Sequence, residues 1–143
     1  MRFMMLMIPE VYARAETRAN LRPDAKGVEA MMKYNEQLAK AGVLIALDGL
    51  HPPVAGARVS FNGGTPKVAD GAAVGAKEVL GGYWMINVKS KQEAVDWATR
   101  CPAAPGDIIE IRQVFEMSDF PADVQKAAEN PTVRAQVEKS GRG

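Results

Sequence analysis

Residues 81–102 read GGYWMINVKSKQEAVDWATRCP, and this one stretch holds a strand, a helix cap, a helix and a stop. Residues 83–88 form a strand-like run whose period of two sends Tyr83 and Trp84 to opposite faces. Ser90 and Glu93 have the spacing of a capping box. Ala94, Trp97, Ala98 and Cys101 then follow at helical spacing until Pro102 ends the helix. A strand feeding directly into a helix that must cover it is half of an α+β layer.

Working outward, residues 3–8 (FMMLMI) are apolar at both parities, so a strand there needs cover on both faces and reads as central. The stretch DAKGVEAMMKYNEQLAKAG (24–42) places Val28, Met31, Met32, Asn35, Leu38 and Ala39 on one helical stripe, with Gly42 as its stop. Residues 43–47 are again continuously apolar and predict a second buried strand, turning at Asp48-Gly49 into LHPP. Residues 58–61 and 65–69 flank Asn62-Gly63-Gly64, a hairpin signal because Asn and Gly accept the positive φ of tight turns. Residues 108–115 form the last strand. From Asp119 onward the chain predicts short helical pieces broken at Pro131.

The order strand, helix, strand, hairpin, strand, helix, strand is the split β-α-β of a ferredoxin-like α+β fold with an inserted β-hairpin. It occupies residues 1–117, with 118–143 as a C-terminal helical tail. Two helices cover only one face of such a sheet, yet the strands are apolar on both. A bare apolar face of that size predicts a homodimer, sheet against sheet, with ligand clefts at its edges.

With 143 residues there is chain for one domain, and 18 Lys+Arg against 17 Asp+Glu leave no basic surface of the kind nucleic acid requires. The opening MRFMMLMIPEVY is too short in apolar run for a secretory core or a membrane span, so neither membrane nor nucleic acid is an expected partner. One cysteine excludes an internal disulfide and fits a reducing, cytoplasmic compartment. One histidine speaks against a metal site. The glycine pairs at 63–64 and 81–82 lack the strand-GxGxxG-helix setting of a dinucleotide site.

Several side chains could carry chemistry. His51 is locked between Leu50 and Pro52-Pro53, and imidazole is the side chain suited to proton transfer near neutrality; the alternative is a turn histidine. Asp70 opens the glycine-flanked loop DGAAVGAKE (70–78) and could orient His51, or simply make a turn. Lys77 and Glu78 close that loop as charges across a cleft or as a solvated pair. Asn35 interrupts an apolar stripe, so its amide either ties helix to sheet or faces a ligand. Arg58 and Arg112 each offer a planar fork for a carboxylate, although Arg112 beside Glu110 also reads as a ladder. Cys101 reads as buried filler, and Met4, Met5, Met7, Met31 and Met32 as core.

The leading strand, AKAGVLIALDGLHPP, the loop DGAAVGAKE, then GGYWMINVKSKQEAVDWATRCPA and EIRQVFE together resemble the YciI-like (YCII-related) proteins, in their DGPF-domain branch. The family loop reads DGPFAETKE. Asp70, Gly71, Lys77 and Glu78 match it, whereas residues 72–76 replace its centre with small side chains. The resemblance implies a dimeric α+β barrel, no established cofactor and a His/Asp pair at a cleft, here His51 with Asp70. It implies either a small-molecule proton-transfer or elimination enzyme, or a noncatalytic dimeric ligand-binding or accessory module linked to sigma-factor regulation. Asn35, Arg58, Lys77 and Glu78 are the expected substrate contacts, and the loop 70–78 an expected flexible rim.

Overall fold

The computed structural model describes residues 1–14, 23–71 and 78–141. Four antiparallel strands form the main sheet: β1 (Arg2–Ile8), β2 (Leu44–Gly49), β5 (Gly82–Asn87) and β6 (Ile108–Gln113), in the spatial order β2-β5-β1-β6. That order is compatible with a ferredoxin-like arrangement. β1 is central, as its two-sided apolar pattern requires. Its odd residues Phe3, Met5 and Met7 are buried under the helices, beside Trp84 and Ile86 of β5.

The opposite face carries Met4 across from Met85 and Leu6 across from Tyr83, all four only half covered. Ile45 joins them from β2, at 41% exposure. Here the structure departs from the expected second buried strand. β2 lies at the sheet edge, hydrogen-bonded to β5, and Ile45 on its outward side is exposed. An apolar run signals two-sided burial only when a layer packs on each face of the sheet, and the core cluster of the described residues lies on the helix-covered face alone.

Helix α1 (Ala25–Lys40) starts at Asp24, whose carboxylate accepts from the Gly27 N–H at 2.6 Å. It stops where Gly42 takes φ 72°, a conformation glycine adopts without a Cβ penalty. The helix meets the sheet through Met31, Tyr34, Asn35 and Leu38. Val28, Met32 and Ala39, expected on that stripe, face outward, with Met32 58% exposed. The buried face is rotated toward Tyr34, whose ring enters the core edge-on to Trp84 while its hydroxyl donates to the Trp97 carbonyl at 2.8 Å. A tyrosine with its polar end satisfied packs as well as an aliphatic residue.

Helix α2 (Lys91–Thr99) is capped by Ser90, whose Oγ accepts from the Glu93 N–H at 3.1 Å. Glu93 reaches back one residue further than a capping box requires, accepting from the Lys89 N–H. Ala94 and Trp97 are its buried side.

The expected hairpin is β3 (Ala57–Ser60) with β4 (Lys67–Asp70), a separate two-stranded sheet whose residues are all exposed. Beyond β6, Arg2 holds Glu116 through two parallel N–H to carboxylate bonds of 2.7 and 3.1 Å. The tail forms α3 (Ala122–Ala127) and α4 (Pro131–Lys139), neither of which buries a residue. Among the described residues no helix is long and apolar enough to cross a membrane.

Candidate functional site

At the end of β2 the Leu50 N–H donates to the Gly81 carbonyl at 2.9 Å, which keeps β2 and β5 together for one more residue pair. Pro52 and Pro53 then turn the chain through a short 3₁₀ segment, closed by the Ala55 N–H on the Pro52 carbonyl at 2.9 Å. His51 is therefore anchored on one side by a strand pair and on the other by two rings of fixed φ. It lines a cavity of about 340 Å³ together with Leu50, Pro53, Arg58, Val79 and Leu80. Arg58 comes from β3, so the exposed hairpin supplies one wall and the end of the main sheet the other.

The remaining expected site residues divide. Asp70 pairs with Ala57 at the open end of the hairpin, and the next residue, Gly71, lines the His51 cavity. Among the described residues no hydrogen bond joins His51 to Asp70, and both side chains are exposed. Glu78 is exposed beside Val79. Lys77 and the loop centre, with the flexible rim expected there, lie outside the described residues. Arg112 sits 3.5 Å from Glu110 on β6, the ladder reading of that pair.

Asn35 stands elsewhere, in a cavity of about 190 Å³ on the helix-covered side of the sheet, with Met31, Leu47, Gly49, Gly82 and Trp84. Its Oδ1 accepts from the Trp84 indole N–H at 2.8 Å, so the amide ties helix to sheet and lines a cavity at once. The two cavities are lined by neighbouring residues, Leu50 and Leu80 in the first and Gly49 and Gly81 in the second. The tie depends on a partner 49 residues away, which no local spacing announces. Of the glycines here only Gly49 borders open space, whereas Gly81 and Gly82 are packed against the Pro9 ring and the Asp48 carbonyl.

Burial pushes the Cys101 thiol up to about 11, with the Asp107 charge adding to it, which makes the group an inert neutral filler at ordinary pH. Burial likewise holds the Tyr34 phenol above its usual range. Among the described residues no cluster of His, Cys, Asp and Glu has the makings of a metal centre.

Chemically, the His51 cavity combines an imidazole, a guanidinium and apolar walls, a set suited to a small organic acid whose carboxylate takes the fork. Against known families, the model of the YCII-related domain matches residues 1–118. No curated protein matches the chain.

Proposed function

This chain belongs to the YCII-related domain family, and from that premise we propose that it is a cytoplasmic homodimer that binds a small organic acid beside His51 and transfers a proton there. Within the family the kept loop ends Asp70, Gly71, Lys77 and Glu78 argue for the DGPF branch with a divergent centre. The observation that carries the reading is the shared cavity of His51 and Arg58. A guanidinium holds a carboxylate bidentately and so fixes the adjacent carbon, while an imidazole on the facing wall exchanges a proton with it. In this reading Asp70 orients His51 once ligand draws the hairpin toward the sheet end, and Lys77 and Glu78 are further substrate contacts. The half-covered face of Met4, Leu6, Ile45, Tyr83 and Met85 supports the dimer, because a second copy offers the same face in return.

A noncatalytic ligand-binding or accessory module is the second reading, and the missing hydrogen bond between His51 and Asp70 favours it. Solvent exchange separates the two. Small carboxylic and 2-oxo acids are titrated by amide NMR in ordinary aqueous buffer, and deuterium uptake next to their carboxyl or carbonyl group is followed separately in deuterated buffer. Arg58→Ala is expected to weaken binding by about tenfold or more, as loss of a charged hydrogen-bond pair does. His51→Asn should keep binding and lower exchange by about a hundredfold or more. Binding without enzyme-dependent exchange assigns the accessory role.

A further inference from the structure

The lining of the His51 cavity says what the rest of its ligand must be. Among the described residues its polar side chains are the His51 imidazole and the Arg58 guanidinium, and every other lining residue is Leu, Val, Ala, Pro or Gly. No hydroxyl, amide or carboxylate side chain is among them, so a hydroxyl or ammonium carried by a ligand finds no side-chain acceptor there.

The apolar wall is held in place by the backbone. Leu50 follows β2 and Leu80 precedes β5, and the Leu50 N–H on the Gly81 carbonyl at 2.9 Å ties the two segments together. Their side chains are 46% and 44% exposed, while Val79 beside them is buried. Two large aliphatic side chains standing in water within the same cavity as a guanidinium are surface for a ligand to cover, and each methylene buried there tightens binding by about fourfold. Pro52 and Pro53 also line the cavity, and their fixed φ leaves that wall little freedom to lose on binding.

We infer that this cavity selects monocarboxylic acids with an apolar body of about six to eight carbons over dicarboxylic, hydroxy and amino acids of the same length. The inference rests on the reading that Arg58 takes a carboxylate, and it names the substrate class of that site. Size sets the bulk: an apolar cavity of about 150 Å³ takes a benzene molecule, and this one, at about 340 Å³, has room for such a body and for the carboxylate. Charge sets the exclusions. A second carboxylate at the far end of the ligand would lie against leucine with no further lysine or arginine on the described lining, and an ammonium would find no carboxylate on it.

Hexanoate, adipate, 6-hydroxyhexanoate and 6-aminohexanoate differ only at the end away from the carboxylate and are the probes, with butanoate as the shorter body. Methyl and amide NMR of the full chain in ordinary aqueous buffer follows Leu50, Leu80 and Arg58. Hexanoate should shift all three and bind about tenfold or more tightly than each of the other six-carbon acids, and about tenfold more tightly than butanoate. Leu80→Asn, at an exposed position, should bring hexanoate and 6-hydroxyhexanoate to within about threefold of each other, and Leu50→Asn makes the same test where Leu80→Asn does not fold. Arg58→Ala should weaken all the acids alike, which tests the acid reading by itself. If adipate or 6-hydroxyhexanoate binds as tightly as hexanoate, if butanoate does, or if the leucine variants keep the parent's preference, the apolar class is overturned while the Arg58→Ala result still stands for the acid reading. If no acid shifts these residues, or Arg58→Ala binds them as the parent does, the acid reading falls and the class falls with it.

Discussion

Trp84 of β5 gives its indole N–H to the Asn35 amide oxygen of α1 across 2.8 Å, and this bond links the sheet to the helix that covers it. Both partners are buried, Asn35 at 7% exposure and Trp84 at 6%. Replacing Asn35 by Leu leaves a buried donor unpaired and should cost about 1–3 kcal/mol of unfolding free energy in urea melts. Trp84→Phe should be less harmful in the Asn35→Leu background than alone, because the orphaned donor has gone with the indole. Additive losses would show that the bond carries no coupling.

The facing glycines should respond unequally. Alanine at Gly82 would bring its Cβ to 2.9 Å from the Asp48 carbonyl, a backbone atom that cannot step aside, so a loss of about 1–3 kcal/mol is expected. Alanine at Gly49 has open space and should change stability by less than about 0.5 kcal/mol. Thermal melts of the two variants side by side test the asymmetry.

Cys101 makes stability depend on alkaline pH. In the unfolded chain the thiol ionises near its ordinary value of 9.0, whereas in the folded protein it stays neutral until about 11. Between those values the unfolded state has lost a proton that the folded state keeps, so stability falls as pH rises through that window. Cys101→Ala should flatten this part of the curve, and thiol labelling of the native protein should stay slow below pH 9.

A charge placed on the open sheet face should separate the proposed dimer. Met85→Lys leaves the helix-covered core untouched and puts an ammonium opposite Met4, where a second copy would have to bury it. Sedimentation velocity at micromolar concentration should give a dimer for the parent, with more than about 1,200 Å² in its interface, and a monomer for the variant. A monomeric parent would refute the assembly.

The fold was legible where a local pattern is enough. Strand β1, the helix that Gly42 stops, the Ser90 cap and the hairpin each depend on residues within a few positions of one another. Position in the sheet was not legible, because the run at 43–47 looks the same in a central strand and in an edge strand with one face left open. Tyr34 does not announce itself as core, since its hydroxyl finds the Trp97 carbonyl only after α1 and α2 are docked. At the site, His51 and Arg58 are seven residues apart and their meeting follows from one proline turn and one hairpin. Asn35 was legible as a misplaced amide, but its partner and its hollow belong to a contact between elements that the order of the chain does not specify.

The hairpin β3–β4 shares no strand with the main sheet and hides none of its residues, yet it carries Arg58 and reaches the site through Gly71, whose N–H donates to the Gly56 carbonyl. If the proposed site is the functional one, stability and specificity are entrusted to different parts of one chain. Mutations in the hairpin can reshape what is recognised while the folding of the four-stranded sheet goes on unaltered, so new ligand preferences are open to this scaffold without the loss of stability that usually accompanies a change of function.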